Sequence, residues 1–444
     1  MLKKNLWIIV FLPVLLIGQQ ALKGKFLPPE EFDWILVYKV SPTHSSYVGD
    51  AKIDREGNFE FVLDSTQTGG MYRLVYAVPQ EEYNFDLIYN AREDIEFTFH
   101  IDDGLEYKAS IENKLMSSYT SSMSMIRQSL GKYFREQSQD STTLMTIFQT
   151  QRDTQEEYEK ISKDMIAGHF VRANRPYIPE AYEEMNTYVR NLKAHYFDHV
   201  DFNDPILQSS NFLIEHTLNF VFGMISKDEL RSTGFEHNID HVSKVMASAT
   251  DQTKKMLLYI LWQQFSEANY EKTANYITDN YLLDLAKSLE EDELVAEITQ
   301  FKNVSLGHTA PNFKIESQKD GENLSTELHA LEGSEHYVLV FWSSSCSHCL
   351  DELPKLKEFI DGRNSDQLQV VAFGIEEDVY TWKNETLKYP DFTHVCGLGK
   401  WENQIGRAYN ISSTPTYFIL DKEKAIIAKP EDVEDVKAFF DSQK

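Results

Sequence analysis

Cysteine is scarce in this chain of 444 residues, which contains only three. So few cysteines cannot form the disulfide framework of a small secreted scaffold, so any cysteine chemistry is local. Glycine and proline number only 19 and 13, which excludes collagen-like and low-complexity sequences. Basic residues are outnumbered by acidic ones, 43 to 70, and the net charge is −27. Because this charge repels polyanions, we expect no nucleic-acid partner and no polybasic contact with a membrane.

Long apolar runs are also missing, apart from one near the N-terminus. That run, from Leu6 to Ile17, is shorter than the roughly 18 residues that a membrane-spanning helix needs. Lys3 and Lys4 precede it and small or polar residues follow it, which is the layout of a secretory signal peptide. We therefore predict a signal peptide over residues 1–21 rather than an uncleaved anchor. The mature protein is expected in the periplasm or cell envelope, without stable membrane insertion.

Three regions with different residue patterns follow the predicted signal peptide. In residues 22–112, apolar and polar residues alternate in short aromatic-rich runs separated by turn-forming residues, which predicts an antiparallel β-sandwich. In residues 113–303 the apolar spacing lengthens to three or four, and glycine and proline become rare, which predicts an all-α middle domain. In residues 304–444 strand-like and helix-like segments alternate. This last pattern predicts an α/β domain, so the chain is expected to be multidomain.

The strongest chemical signal lies in the last region, where Cys346-Ser347-His348-Cys349 directly follows an apolar strand and opens a helix. Two thiols at this spacing can close a small disulfide. Cys346 would lie where unpaired backbone N–H groups and the helix dipole favour a thiolate, which makes it the predicted nucleophile. Cys349, one turn inside the helix, would be more shielded and would resolve a mixed disulfide.

Other interpretations of the two cysteines fit the sequence less well. A structural zinc site would need a second ligand pair, and the nearest candidates are His394 and Cys396. Two inert core thiols would be misplaced at the start of a surface helix. A one-cysteine peroxidase would carry Pro and Thr before the cysteine, where this chain has Ser343-Ser344-Ser345. We therefore predict a redox dithiol that uses no metal and no cofactor.

Four motifs, in order along residues 304–444, resemble the TlpA/ResA-type branch of the thioredoxin superfamily. They are Gly307–Phe313, Phe341–Cys349, Cys349–Pro354 and Ser413–Asp421. The resemblance implies a thioredoxin fold and an exported protein-disulfide oxidoreductase. Residues before 304 lie outside it, and they resemble only the uncharacterised N-terminal regions of such envelope proteins in Bacteroidetes-type bacteria.

The resemblance also assigns residues to the substrate-binding surface. It implies a cis peptide bond before Pro415, and X-Pro bonds are the common place for cis peptides. Such a bond would bring the Thr414 backbone beside the dithiol, where it could hold an extended substrate strand. The alternative is an ordinary trans bond at the start of a strand. Trp342, which ends the strand before the active-site loop, is likewise expected to contact substrate.

Two further side chains are given roles near the dithiol. Glu352 resembles a helix acid of the family that assists proton transfer, although a solvated first-turn carboxylate would look the same in sequence. Glu376 and Glu377, beyond a central strand, are alternative acids between which the sequence does not choose. His348 stands where a proline is often found, and its imidazole is expected to stabilise the Cys346 thiolate and make the couple more oxidising.

The expected partners are a disulfide-containing envelope protein and a membrane electron donor. Two other functions stay open at this point. The chain could be an envelope binding or scaffold protein whose thioredoxin module is weak or only senses redox state. It could also handle copper through Cys346, Cys349 and His394, because thiolate and imidazole ligands suit Cu(I).

Overall fold

A computed structural model describes most of the chain. The described residues are 20–41, 45–64, 66–80, 82–225, 230–319, 322–363 and 365–442. The chain divides into two compact units, residues 1–257 and 258–444. The predicted signal peptide lies outside the described residues except for Gln20 and Ala21, which begin the first strand. The predicted boundary at 303/304 falls inside the second unit.

The first unit begins with a β-rich region. Among its described residues the strands are β1 (Gln20–Leu27), β2 (Trp34–Val40), β3 (Ser45–Lys52), β4 (Asn58–Leu63), β5 (Gly70–Val75), β6 (Asn84–Tyr89), β7 (Ile95–His100) and β8 (Gly104–Ala109). They form two four-stranded sheets with the strand orders β4-β1-β7-β8 and β3-β2-β5-β6. Both sheets contribute to one core, which contains Phe26 and Phe97 from one sheet and Ile35 and Leu74 from the other.

The expectation that this region is wholly antiparallel is wrong at one pair of strands. β1 runs parallel to β7, with Leu22 opposite Ile95, whereas the other neighbouring pairs in both sheets are antiparallel. A parallel pair needs a long crossover connection. Local alternation of residues shows that a strand exists but not which distant strand it pairs with, so the sequence did not reveal this pairing.

Helices make up the middle of the chain, as predicted. The described helices of the first unit are α1 (Ile111–Arg135), α2 (Ser141–Ile161), α3 (Ala167–Ala173), α4 (Met185–Ala194), α5 (Pro205–Gln208), α6 (Phe212–Gly223) and α7 (Arg231–Val245). α1 shows why the sequence folds this way. Its buried side chains recur every three or four residues, at Leu115, Tyr119, Met123, Ile126, Leu130 and Tyr133, which is the apolar stripe of an amphipathic helix. Within the described ranges, no helix is long and apolar enough to cross a membrane.

Helix α8 (Asp251–Glu267) spans the division between the units, and three helices follow in the second unit. These are α9 (Glu271–Ile277), α10 (Leu283–Ser288) and α11 (Asp292–Asn303). Glu271 joins α9 to the segment beyond α11, because its carboxylate accepts the Leu306 N–H at 2.8 Å and pairs with Lys429. The side chain of Gln300 donates to the backbone carbonyl of Arg407. These helices are therefore bonded to the α/β domain that follows.

The α/β domain combines a hairpin, a five-stranded mixed sheet and four helices. Its elements are β9 (Lys314–Lys319), β10 (Glu322–Glu327), β11 (His336–Trp342), α12 (Ser347–Asp361), β12 (Leu368–Glu376), α13 (Val379–Thr386), β13 (Thr393–Leu398), α14 (Gln404–Ala408), β14 (Thr416–Asp421), β15 (Ile426–Ala428) and α15 (Val433–Asp441). The sheet order is β13-β12-β11-β14-β15. The central strand β11 is buried on both faces, with Val338 and Val340 in one core and Leu339 and Phe341 in the other.

Candidate active site

The topology of the sheet brings two loops together at one edge. β11 runs parallel to β12, with Trp342 opposite Gly374, and antiparallel to β14, with Phe341 opposite Thr416. The residues that follow β11 therefore meet the residues that precede β14. The first loop carries Cys346 and the second carries Thr414 and Pro415.

Cys346 is the N-cap residue of α12, as the sequence predicted. Its Sγ accepts a hydrogen bond from the Cys349 N–H at 3.2 Å. The same thiol lies 3.3 Å from the Thr414 carbonyl oxygen and can donate to it. Cys346 is half-buried, and neither it nor Cys349 is in a disulfide.

Several groups around the Cys346 thiol set its pKa. Burial raises the pKa, but hydrogen bonding with Cys349, with the Thr414 side chain and with the backbone N–H of His348 lowers it by more. The net pKa is below the usual 9.0 of a thiol. The start of α12 therefore favours the thiolate form of Cys346, as expected for a nucleophilic cysteine.

Cys349 lies in a different environment one turn further along α12. Its side chain is 0 % exposed. Burial, followed by its interaction with Cys346, raises the pKa of this thiol to about 12. The two thiols therefore differ both in access and in acidity, and Cys346 is the one that ionises first.

The second loop contains the cis peptide bond that the family resemblance implied, between Thr414 and Pro415. The Thr414 carbonyl faces the Cys346 sulfur, so the backbone beside the dithiol comes from this loop. The expectation that Trp342 contacts substrate is corrected by its burial. Its side chain is 0 % exposed and packs in the core with Cys349 and Leu353, because it lies at the end of a strand covered on both faces. Trp342 is therefore a core residue that supports the loop carrying Cys346.

Glu376 at the end of β12 holds the loop that precedes Cys346. Its carboxylate accepts the Ser344 backbone N–H at 2.6 Å and the Ser344 hydroxyl at 2.9 Å. Glu376 is 3 % exposed, and burial raises its pKa above the usual value despite these hydrogen bonds. Glu377, by contrast, is 73 % exposed and pairs with Lys400. The two adjacent acids therefore have different environments, and only Glu376 touches the active-site loop.

Glu352 is a buried carboxylate, not a solvated one, and is 4 % exposed. One oxygen accepts from Lys355 Nζ at 2.8 Å and the other from the Val433 N–H at 2.9 Å. Burial raises the pKa of Glu352, but these two donors outweigh it and the net pKa is lowered. The carboxylate therefore ties α12 to the start of α15 in its charged form.

The side chains at the rim of the dithiol are open to solvent. Ser345, Ser347 and His348 are all exposed. The contribution of His348 to the lowered pKa of Cys346 comes from its backbone N–H. The role predicted for the His348 imidazole remains a prediction.

Tyr417 is a residue near the dithiol that sequence reasoning missed. Its side chain is 1 % exposed and packs in the same core as Cys349. Its hydroxyl has no hydrogen-bond partner among the described residues. Burial raises its pKa, and the charges of Glu352 and Cys349 raise it further. The position of Tyr417 two residues after Pro415 could have suggested that it lies near the dithiol. The alternation along β14 indicates only that the Tyr417 side chain points into a core.

The groups considered for metal binding are not brought together with the dithiol. His394 uses Nε2 to contact the Tyr389 carbonyl oxygen at 2.8 Å. Cys396 is half-buried, and burial together with the charges of Glu376 and Asp378 raises its pKa to about 11. Across the described part of the chain, no three His, Cys, Asp or Glu side chains are arranged to hold a metal ion.

Comparison with known proteins identifies the α/β domain. A family model described as thioredoxin-like matches residues 333–426. The thiol-disulfide oxidoreductase ResA of Bacillus cereus is 27% identical over 128 residues, which are 29% of this chain and 70% of that protein. ResA of Bacillus subtilis is 28% identical over 127 residues, which are 28% of this chain and 67% of that protein. A solved thioredoxin-like protein from Bacteroides caccae covers 61% of this chain and 98% of its own, at 16% identity and a TM-score of 0.33.

The family model, the ResA relatives and the dithiol at a helix start together support a thioredoxin-like thiol-disulfide oxidoreductase. The α/β domain is similar to the TlpA/ResA-type thioredoxin-like proteins. The two ResA alignments cover 29% and 28% of this chain, so most of the chain lies outside them.

Proposed function

We propose that the protein reduces disulfides of envelope proteins through a mixed disulfide formed at Cys346. The observation that carries this proposal is the asymmetry of the two thiols. Cys346 is half-buried, caps α12 and has a lowered pKa, whereas Cys349 is 0 % exposed with a pKa of about 12. The Cys346 thiol is suited to attack a substrate disulfide, and the Cys349 thiol is suited to resolve the mixed disulfide that results.

The proposed reaction has two exchange steps. The Cys346 thiolate attacks a substrate disulfide, one substrate sulfur leaves as a thiolate and takes up a proton, and a mixed disulfide forms. Cys349 then loses its proton and attacks the Cys346 sulfur, which releases the second substrate thiol and leaves a Cys346–Cys349 disulfide. Two electrons have then passed from the protein to the substrate. A membrane electron donor is the proposed source of the two electrons that restore the dithiol.

Two features of the site support a polypeptide substrate. The loop before β14 presents the Thr414 backbone carbonyl beside the Cys346 sulfur, and backbone groups can hold an extended chain. The exposed side chains of Ser345, Ser347 and His348 leave the approach to Cys346 open.

The proposed location, outside the cytoplasm in the periplasm or cell envelope, is supported by the sequence pattern of residues 1–21. Gln20 and Ala21, the last residues of that predicted signal peptide, pair with Leu63 and Val62 of β4. Cleavage before Gln20 would leave this pairing intact, and cleavage after Ala21 would shorten β1 by two residues. Mass spectrometry of the exported protein would distinguish the two positions.

Turnover of a protein disulfide tests the proposed function. The wild type is supplied with dithiothreitol and a model protein that contains disulfides, and the appearance of substrate thiols is followed. We expect catalysis by the wild type and by Cys396→Ser, which is the matched control because it also removes one thiol. Cys346→Ser is expected to leave only the uncatalysed rate. Equal rates with and without the wild type would instead support a binding or scaffold role.

A further inference from the structure

The two proposed exchange steps use neither Glu376 nor the three serines that precede Cys346. Glu376 is 3 % exposed, and Ser343 and Ser344 are each 6 % exposed. Burying a carboxylate costs free energy unless hydrogen bonds compensate for the lost water. In the described part of the chain, the Glu376 carboxylate bonds to Ser343 and Ser344. Both belong to the segment 343–345, which is named the serine loop here.

Three donors of the serine loop converge on the Glu376 carboxylate. Oε1 accepts the Ser344 backbone N–H at 2.6 Å. Oε2 accepts the Ser344 hydroxyl at 2.9 Å and the Ser343 hydroxyl at 3.4 Å. The Ser343 hydroxyl oxygen in turn accepts the Ser345 N–H at 3.3 Å. One side chain at the end of β12 therefore holds both the backbone and the side chains of the serine loop.

The backbone of Ser343 links the serine loop to both cysteines. Its carbonyl oxygen accepts the Cys346 N–H at 3.1 Å. Its backbone also hydrogen-bonds with the Cys349 thiol and lowers the pKa of that thiol against the larger effect of burial. A backbone group lowers the pKa of a thiol by donating its N–H to the thiolate form. The Ser343 N–H therefore faces the sulfur of the buried cysteine.

The serine loop affects the two thiols of the dithiol unequally. The groups that lower the pKa of Cys346 include Cys349, the Thr414 side chain and the His348 N–H, and these three residues lie outside the loop. For Cys349, a backbone group of the loop itself lowers the pKa. A displacement of the loop should therefore disturb ionisation of the Cys349 thiol more than that of the Cys346 thiol.

We propose that Glu376 is a positioning residue for the resolving step, because it holds the Ser343 N–H against the Cys349 sulfur. This inference rests on the proposed function, since it assumes a mixed disulfide at Cys346. In that step Cys349 gives its proton to a solvent base, and its sulfur forms a bond to the Cys346 sulfur. The bond from Cys346 to the substrate sulfur breaks, and the substrate leaves as a thiolate with the electron pair. The Ser343 N–H stabilises the charge on Cys349 before the new bond forms.

The aromatic disulfide dithiobis(nitrobenzoate) separates the two steps in the full chain. It releases one coloured thiolate when Cys346 attacks and a second when Cys349 resolves the mixed disulfide. The reduced protein carries Cys396→Ser in every sample, so that only the dithiol reacts, and it is mixed with an equal amount of reagent at low concentration. The rate of the first phase depends on concentration, whereas that of the second phase, which is intramolecular, does not.

Glu376→Asp and Glu376→Gln distinguish the reach of the side chain from its charge. Asp keeps the charge but is one methylene shorter, which withdraws its oxygens from Ser344. Gln keeps the length, and its amide can accept the Ser344 N–H and donate to the Ser344 hydroxyl. We expect Glu376→Asp to slow the second phase about tenfold, the effect of losing one hydrogen bond to a charged group, and to change the first phase little.

Glu376→Gln should keep both phases near those of the wild type, because it restores the contacts without the charge. Ser344→Ala, which removes only the hydroxyl bond to Glu376, should slow the second phase by a smaller factor than Glu376→Asp. Glu377→Asp is the matched control, since Glu377 is the exposed neighbouring acid that pairs with Lys400, and it should change neither phase. A preserved first phase in each variant shows that the domain is folded.

Three results would overturn the positioning role. They are a second phase in Glu376→Asp and Ser344→Ala as fast as in the wild type, a loss of equal size in both phases, and a second phase slowed in Glu376→Gln as much as in Glu376→Asp. The last result would show that the charge or the proton of the carboxylate matters. A wild-type dithiol that releases no thiolate, or only the first, would overturn the proposed function itself.

Discussion

At the scale of single residues, the chemistry depends on the different environments, and therefore the different pKa values, of three thiols. The pKa of Cys346 is lowered, whereas burial raises the pKa of Cys349 to about 12 and that of Cys396 to about 11. Alkylation of the reduced protein near pH 7 should therefore modify Cys346 first, because only the thiolate reacts. Mass spectrometry of partly modified protein measures the order.

The pH dependence of the same reaction provides a second check. Because the pKa of Cys346 is below the usual 9.0, its alkylation rate should level off at a lower pH than that of a free thiol. Faster labelling of Cys349 or Cys396 than of Cys346 would contradict the assignment of the nucleophile.

Glu352 is predicted to stabilise the fold in its charged form. Burial alone would raise its pKa, but Lys355 and the Val433 N–H lower it below the usual 4.5. A carboxyl group with a lowered pKa contributes stability above its unfolded pKa and loses it as the pH falls through the folded pKa. Glu352→Gln should therefore lower the free energy of unfolding at pH 7 by about 1–3 kcal/mol, because a charged hydrogen-bonded pair is broken in a buried site.

Urea unfolding at several pH values measures this effect. The difference between Glu352→Gln and wild type should shrink below about pH 4, where the carboxyl group of the unfolded chain is protonated. Glu358→Gln is the matched control, since Glu358 is exposed on the same helix, and it should change little. A destabilisation that is the same at pH 3 and pH 7 would show that the charge of Glu352 is not what matters.

His348 is predicted to make the reduction potential of the dithiol less negative. A group that stabilises the Cys346 thiolate favours the reduced form, so the reduction potential should be less negative than the roughly −270 mV of thioredoxin. His348→Pro removes the imidazole and also the backbone N–H that lowers the pKa of Cys346. That variant should therefore have a more negative potential.

Equilibration with glutathione redox buffers measures the potentials of the wild type and two variants. His348→Ala keeps the N–H and loses only the ring, so its potential should lie between those of the wild type and His348→Pro. A wild-type potential at or below that of thioredoxin, or one unchanged by His348→Pro, would show that His348 does not make the potential less negative.

At the scale of secondary-structure elements, strongly patterned segments could be predicted and weakly patterned ones could not. The apolar run of β11 and the helix that opens at Cys346 are both present where the sequence placed them. β3 carries little sequence signal because its residues are mostly exposed and show little alternation. β1 begins at Gln20, inside the predicted signal peptide, and its parallel partner β7 lies far along the chain.

The choice among the candidate acids shows the same limit. Sequence placed Glu352, Glu376 and Glu377 near the dithiol but could not rank them. Their environments depend on which loop or helix end each carboxylate reaches, namely α15 for Glu352, the Ser344 backbone for Glu376 and Lys400 for Glu377. These are tertiary contacts between residues far apart in sequence, which a local pattern does not encode.

At the scale of the whole molecule, the α/β domain is expected to fold and react without the first unit. A fragment of residues 304–444 should fold and reduce hydroxyethyl disulfide, because the dithiol, the Thr414–Pro415 loop and their supporting contacts all lie within it. A fragment of residues 258–444 should be more stable by about 1–3 kcal/mol. It keeps the bonds of Glu271 to Leu306 and Lys429 and that of Gln300 to Arg407.

Thermal and urea unfolding compare the two fragments, with Glu271→Gln in the longer fragment as the control for those bonds. That substitution should remove part of the difference in stability. A shorter fragment that is unfolded, or folded but inactive toward hydroxyethyl disulfide, would show that residues before 304 complete the site.

The most direct measurement of the central claim is to trap the mixed disulfide. Cys349→Ser leaves Cys346 able to attack and removes the thiol that would release the product. Incubated with a disulfide-containing protein, this variant should accumulate a covalent one-to-one adduct that mass spectrometry locates at Cys346 and that reductant dissolves, while Cys346→Ser forms none. An adduct that is absent, or that is linked through Cys396, would contradict the account.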